Sequence, residues 1–418
     1  FVVYPEGLRI NVGDGLTKGT KGGFAVASMG VGTKTGSTEY FRVTGDSIRM
    51  YIDEDATKGT KGGFAVASMG VGTKTITNDV LRVTKDSVRI YLNETDTKGT
   101  KGGFAVASMG VGTKTTPQEY IQMTKDNYFI GLGAGANITT GLYNSFMGYQ
   151  TGMHTTTGNN NSFIGYMAGI NNIDGYDNVF IGNQSGKSNS SGNNNILIGI
   201  YSGFSLTSGI HNTLIGSSAG YSHTNQSYNV LIGTASGYHI NASGWAGSFN
   251  TMIGINSGYA IQNSRDNTFI GTNAGYWLEN GQGNTFLGID AGRSGYEHHN
   301  AYVANYNTFL GNKAGYNLLS GDNNTAVGYF SGYSGTTGSG NVFLGYMAGF
   351  SESGSNKLYI ENSNGNSTLA LIYGEFDNKL LRFNAKVGVN GAPDASASLK
   401  VTGNALVTGS ISASNVNS

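Results

Sequence analysis

From Asn127 onward the chain repeats one pattern of apolar and polar residues every 17 positions. The unit reads N-[TSV]-[FL]-[IL]-G-x-x-[AS]-G-[YF]. Its asparagine falls at Asn127, Asn144, Asn161, Asn178, Asn195, Asn212, Asn229, Asn250, Asn267, Asn284, Asn307, Asn324 and Asn341, thirteen units in all. Two intervals are longer, by four residues after Asn229 and by six after Asn284. In the unit that starts at Asn267, Thr268 and Ile270 alternate with Phe269, the period of a strand with two distinct faces. Gly271 is expected to turn the chain, and Ala274 to Tyr276 to form a second short strand. Each unit is then one turn of a β-solenoid, stacked so that Asn lies over Asn, Ile over Ile and Gly over Gly. Thirteen coils at about 4.8 Å each make a rod of roughly 60 Å. No segment carries apolar residues at i, i+3, i+4, i+7 over three turns without an interrupting glycine, so almost no helix is expected.

A second period precedes the first. The segment TKGTKGGFAVASMGVGTKT at Thr17 recurs unchanged at Thr57 and Thr97, 40 residues apart. Between the copies, Ile48, Met50 and Ile52 alternate with Arg49 and Tyr51 as in a half-buried strand, with Gly45-Asp46-Ser47 as its turn. The period of 17 ends near Ser351, and short strand-like pieces such as LYIEN, LLRFN and SLKVTG follow. The expected organisation is therefore residues 1–126 as three 40-residue β modules, 127–350 as the thirteen-unit array with two loop insertions, and 351–418 as a β stem. The fold class is all-β: an elongated β-solenoid or β-roll fibre of stacked repeats, parallel and homo-oligomeric. Both faces of the array's strand carry large apolar residues, Phe on one and Ile on the other. One face closes the coil, and the other is expected to meet another copy, with a trimer favoured.

Composition narrows the function classes. Among 418 residues are 68 Gly, 3 Pro and no Cys, which excludes collagen, proline-rich linkers, disulfide staples and thiol chemistry. Lys and Arg number 25, as do Asp and Glu, so no overall field draws the chain to nucleic acid or anionic lipid. No run approaches eighteen apolar residues, and no membrane span is expected. The start at Phe1 shows neither a basic nor an apolar leader segment, so export is expected by leader removal or by another route.

The N-[TS]-[FIL]-[IL]-G-x-x-[AS]-G array is similar in logic to the N-S-x-A-I-G repeats of trimeric autotransporter adhesin heads. It resembles more closely the Gly- and Asn-rich repeats of phage-tail-fibre-like bacterial surface proteins. The ending GVNGAPDASASLKVTGNALVTGSISASN resembles the stem ahead of the self-cleaving chaperone of endosialidase-type tail fibres, which implies a mature product ending near Ser418. The resemblance implies an extracellular, cell-surface or virus-like particle location.

Catalysis and cofactors are not expected. The array's acids, Asp174, Asp177, Asp266, Glu279, Asp290, Glu297 and Asp322, sit at unit junctions or variable positions rather than facing each other as paired carboxylates. The histidines His154, His211, His223, His239, His298 and His299 lack metal-ligand spacing. Asp53-Glu54-Asp55 lacks the calcium-roll spacing, and Lys18-Gly19-Thr20-Lys21-Gly22-Gly23 is not a phosphate loop. Two functions remain: an adhesion shaft that contacts a surface glycan or protein receptor, and a passive filament whose only partner is itself. Insertions from one face of a repeat array commonly form its binding surface. Trp245 and Phe249 belong to the first insertion, Tyr296, His298 and Tyr302 to the second, and Tyr276 and Trp277 lie between them. These seven residues are the candidate ligand-binding set, and no metal site is expected.

Overall fold

The computed structural model describes residues 118–240, 246–294, 303–335 and 337–393, a few residues after these, and the backbone of short strands ahead of residue 118. The chain forms two compact units, Phe1–Phe104 and Ala105–Ser418. The first contains antiparallel hairpins that recur with the 40-residue period: Val2–Tyr4 with Gly7–Arg9, Phe41–Val43 with Ile48–Met50, and Asp79–Thr84 with Ser87–Ile90. Ile48–Met50 is the strand expected from its alternation. Most of the repeated TKGTKGGFAVASMGVGTKT block lies outside the described residues, so the expected stacking of the 40-residue modules does too.

The second unit is a β-solenoid, with no helix among the described residues. Every coil of the array contributes one three-residue strand, from Tyr128–Ile130 to Val342–Leu344. All thirteen pair in parallel, with Thr268 on Thr285, Phe269 on Phe286 and Ile270 on Leu287 as the typical register. The central residue of each strand points inward. Phe129, Phe146, Phe163 and Phe180 form a stack with centroids 4.6–5.0 Å apart; Leu197, Leu214, Leu231 and Met252 continue the column, and Phe269, Phe286 and Phe309 stack again at 4.8 and 4.9 Å. The flanking residues face outward, and Met147, Ile164, Leu287 and Leu310 are exposed.

The expected second strand is absent. Residues 271–277 form consecutive turns, because Asn273 and Gly275 both take left-handed backbone (φ +56° and +61°). The segment still bonds to its neighbours: Asn273 N–H donates to Ile255 on one side, while Gly275 N–H donates to Ala291 on the other, at 2.9 and 3.0 Å. Two glycine columns make these turns possible. A Cβ on Gly271 would lie 2.4 Å from the Gly288 carbonyl oxygen of the next coil, and one on Gly275 would lie 2.5 Å from the buried Phe269 ring.

The repeated asparagines form a buried hydrogen-bonded spine. Asn144 Oδ1 accepts the backbone and side-chain N–H groups of Asn161 at 3.0 and 3.1 Å, and Asn144 Nδ2 donates to Asn127 Oδ1 and the Gly158 carbonyl. Both amide hydrogens and both acceptor sites are thereby used, which is the condition for burying an amide without penalty. Antiparallel strands cover the two ends of the parallel sheet. Gln118–Thr124 pairs with Tyr128–Ile130 at one end. At the other, Lys357–Ile360 follows the last coil in parallel and receives Ile372–Glu375, then Leu380–Phe383. The spine ends there, with Asn341 Oδ1 accepting Lys357 N–H at 2.8 Å. Around this cap Tyr373 donates its hydroxyl to Glu375 at 2.6 Å, with Asn378 and Lys357 also on that carboxylate. The Tyr373 hydrogen bond leads the effects that hold Glu375 at a pKa of about 2.

Candidate attachment surface

Both insertions leave the coil at the same corner. The asparagine spine fixes the point: Asn267 Nδ2 bonds Gly281 O at 2.9 Å in a regular coil. The matching bonds in the two long coils go from Asn229 to Gly247 and from Asn284 to Ala304. The additional residues therefore lie just ahead of Gly247 and Ala304. The spine runs on through both, with Asn250 N–H to Asn229 Oδ1 and Asn307 N–H to Asn284 Oδ1 each at 2.9 Å.

Two regular coils separate the insertions, and their shared corner differs from the rest of the array. The corresponding residues elsewhere are mainly Thr, Ser and Asn, as in Thr156-Thr157 and Ser190-Ser191; here they are Gln262-Asn263 with Arg265, and Glu279-Asn280 with Gln282. These side chains form a ladder of their own. Asn263 Nδ2 donates to Asn280 Oδ1 at 2.9 Å, Arg265 Nε to Gln282 Oε1 at 3.3 Å, and Gln282 Nε2 to the exposed Tyr306 hydroxyl at 2.9 Å. Arg265 also pairs with Asp266 at 3.6 Å. The strip presents donors and acceptors in nearly balanced charge, a surface suited to hydroxyls and amides rather than to an ion.

Of the seven candidate residues, Trp245, Tyr296, His298 and Tyr302 lie outside the described residues. Phe249 is half-exposed in left-handed backbone (φ +61°) and stacks on Tyr228 at 5.1 Å, which stacks on His211 at 5.1 Å. Tyr276 and Trp277 meet edge to face at 4.8 Å. Tyr276 is a rung of a long outer column: Phe204, Tyr221, Tyr238, Tyr259 and Tyr276 stack at 4.9–5.2 Å. Lys187 lies over one end, on Phe204, and Arg293 sits between Tyr276 and Tyr316, 5.7 Å from each ring. Tyr316, Tyr333 and Phe350 then continue at 5.0 and 4.9 Å. Burial foremost raises the Tyr276 pKa; Tyr259 adds to the rise and Arg293 opposes it. With Tyr259 on one face and Arg293 toward the other, Tyr276 offers a ligand its edge and hydroxyl rather than a free face for stacking. Phe249 belongs to a separate column, so the structure brings together only Tyr276 and Trp277 from the described members of the set.

Sequence reasoning passed over the corner residues Gln262, Asn263, Arg265, Asn280 and Gln282. Their signal was the replacement of short hydroxyl residues by long polar ones in the two units between the insertions. Among the described residues no three His, Cys, Asp or Glu side chains gather as a metal site would require, and no described helix is long and apolar enough to cross a membrane. No known protein family, no curated protein and no solved structure matches this chain.

Proposed function

We propose that this chain is an extracellular attachment shaft, a rigid self-associating rod that carries a contact surface for a cell-surface glycan or protein receptor. The carrying observation is the polar ladder of Gln262, Asn263, Arg265, Asn280 and Gln282, bracketed by two insertions that leave the same corner of the coil. Rod stacking alone requires neither extra residues nor long amides at that corner, since the other regular coils stack there with mainly Thr, Ser and Asn. An insertion that leaves the asparagine spine intact costs the rod little, because loop closure grows only slowly with length. The amides and the guanidinium bind hydroxyl-rich or amide-rich ligands by hydrogen bonding, and Trp277 adds an apolar surface at the edge.

Removing residues 242–245 and 297–302 restores both long coils to the 17-residue period. The shortened rod is expected to keep its β circular dichroism and thermal midpoint while losing binding to cells or to a glycan array. Full adhesion by a folded shortened rod would move the contact surface elsewhere. Failure of the intact rod to bind any surface would leave a passive filament.

A further inference from the structure

The outer tyrosine column has a geometry that attachment does not use. Tyr221, Tyr238, Tyr259 and Tyr276 sit on four successive coils, with ring centroids 5.0, 5.2 and 4.9 Å apart and planes within 16° of parallel. Tyr316 and Tyr333 repeat the arrangement at 5.0 Å and 7°. The backbone holds the rings in place: Ser222 N–H bonds Tyr238 O at 3.0 Å, His239 N–H bonds Tyr259 O at 3.0 Å and Ala260 N–H bonds Tyr276 O at 2.9 Å. Every ring in the column is half-buried, its faces against its neighbours and its remaining surface open to solvent.

We propose that this column is an oxidative modification site, in which adjacent tyrosines are converted to dityrosine links that staple successive coils together. Each of two neighbouring phenols gives up one electron and its hydroxyl proton to a one-electron oxidant of the activated peroxide or persulfate class. The two phenoxyl radicals join through a new carbon–carbon bond between their ortho positions. The hydrogens on those carbons then return to the two oxygens as aromaticity is restored. Two hydrogen atoms leave the protein in total, and one peroxide bond is reduced by two electrons. Holding the partner ring about 5 Å away makes this coupling effectively unimolecular, so it outruns coupling between molecules in dilute solution. Burial, with the neighbouring phenols, raises the Tyr238 pKa, so the ring reacts as the protonated phenol.

The column also sets limits on the pattern. Phe204 ends the first tyrosine run and the Arg293 guanidinium interrupts it before Tyr316. Tyr143 and Tyr306 are more exposed than any column member, yet the matching place in the next coil holds Asn160 and Asn323. Outside the column, Tyr149–Tyr166 and Tyr329–Tyr346 are exposed and also stacked, at 5.5 and 5.7 Å, and are expected to couple as well; exposure without a stacked tyrosine, as at Tyr143 and Tyr306, is expected to give no link within the chain.

The test uses the intact chain at low concentration, oxidised with a photoexcited ruthenium trisbipyridyl complex and persulfate, then digested with elastase and sequenced by mass spectrometry. Dityrosine fluorescence is expected in chains that stay unlinked to one another, with links Tyr221–Tyr238, Tyr238–Tyr259, Tyr259–Tyr276 and Tyr316–Tyr333 in the column, Tyr149–Tyr166 and Tyr329–Tyr346 outside it, and none from Tyr276 to Tyr316. Tyr238→Phe keeps a stacking ring but removes the phenol; it is expected to abolish the first two links and spare Tyr259–Tyr276. Products dominated by Tyr143 or Tyr306, a Tyr276–Tyr316 link as abundant as Tyr259–Tyr276, or an absence of dityrosine would each overturn the assignment. The test is independent of adhesion, so it succeeds or fails separately from the attachment reading.

Discussion

Within the apolar column at the coil's second corner, His223 occupies the place held by Leu206 in the coil before and Ile240 in the coil after. Its ring is fully buried, Nε2 lies 3.2 Å from Asn229 Nδ2 and accepts from it, and Nδ1, which then carries the proton, has no partner among the described residues. Desolvation lowers its pKa to about 3. An unfolded chain binds this proton below about pH 6.5. Between pH 6.5 and 3 the unfolded state therefore holds the extra proton, and stability falls as pH falls, by about 1.4 kcal/mol per pH unit from this group. His223→Leu removes both the orphaned N–H and the titration. It is expected to stabilise the array at pH 7 by about 1–2 kcal/mol and to have a flatter pH profile than wild type, so that its advantage widens as the pH falls from 6.5 toward 3. Thermal midpoints of both proteins across that range check it. An unchanged pH profile in the variant would place the sensitivity elsewhere. The sequence alone could not assign this role: a histidine in a polar-looking stretch, His223-Thr224-Asn225-Gln226, reads as surface until the 17-residue register puts it beneath Leu206 and Ile240.

At the scale of the coil, the turn after the strand separates what periodicity reveals from what it conceals. Period-2 alternation located the strands, and the fixed asparagine located the spine, because both depend on side chains. Ala274-Gly275-Tyr276 also alternates, yet it is a turn, since its conformation is set by left-handed backbone that a hydropathy pattern does not report. Ala235 and Gly237 share that conformation, with φ of +54° and +58°, but differ in what surrounds them. A Cβ on Gly237 would lie 2.6 Å from the buried Leu231 side chain, whereas Ala235 already carries its Cβ. Gly237→Ala is expected to destabilise by about 1–3 kcal/mol through overpacking. Ala235→Gly relieves a left-handed alanine and is expected to be neutral or stabilising by up to about 1 kcal/mol. Opposite shifts in the two midpoints are the expected result; equal losses would mean that backbone entropy rather than packing governs this turn. The tyrosine column was similarly half-legible. The [YF] that closes each unit gives its period, while the face-to-face stacking follows from the parallel register.

At the scale of the whole molecule, the solenoid leaves one long apolar surface without a partner among the described residues. The outward strand residues Met147, Ile164, Ile181, Ile198, Ile215, Ile232, Ile253, Ile270, Leu287, Leu310, Val327 and Leu344 form a continuous row, several of them exposed. At the spacing of β-strands the row is roughly 60 Å long, and a stable protein–protein interface buries about 800 Å² on each partner. A surface that repeats with every coil is matched along its whole length by another surface with the same rise. A second copy of this chain has that rise by construction, and its balanced 25 positive and 25 negative residues impose no net repulsion. Self-association through this face, with a trimer favoured, is the assembly proposed for the shaft. Ile164→Glu with Leu310→Glu places charges near both ends of the row on exposed positions that do not enter the coil's core, so the rod itself is expected to fold. Sedimentation velocity at micromolar concentration is expected to give an elongated oligomer for the natural sequence and a monomer for the double variant. Asn263→Glu, at the insertion corner, is expected to leave the oligomer unchanged. A natural chain that sediments as a monomer, or a double variant that sediments like it, would refute this face as the interface, because burying two unpaired carboxylates there costs more than an interface of this size can offset.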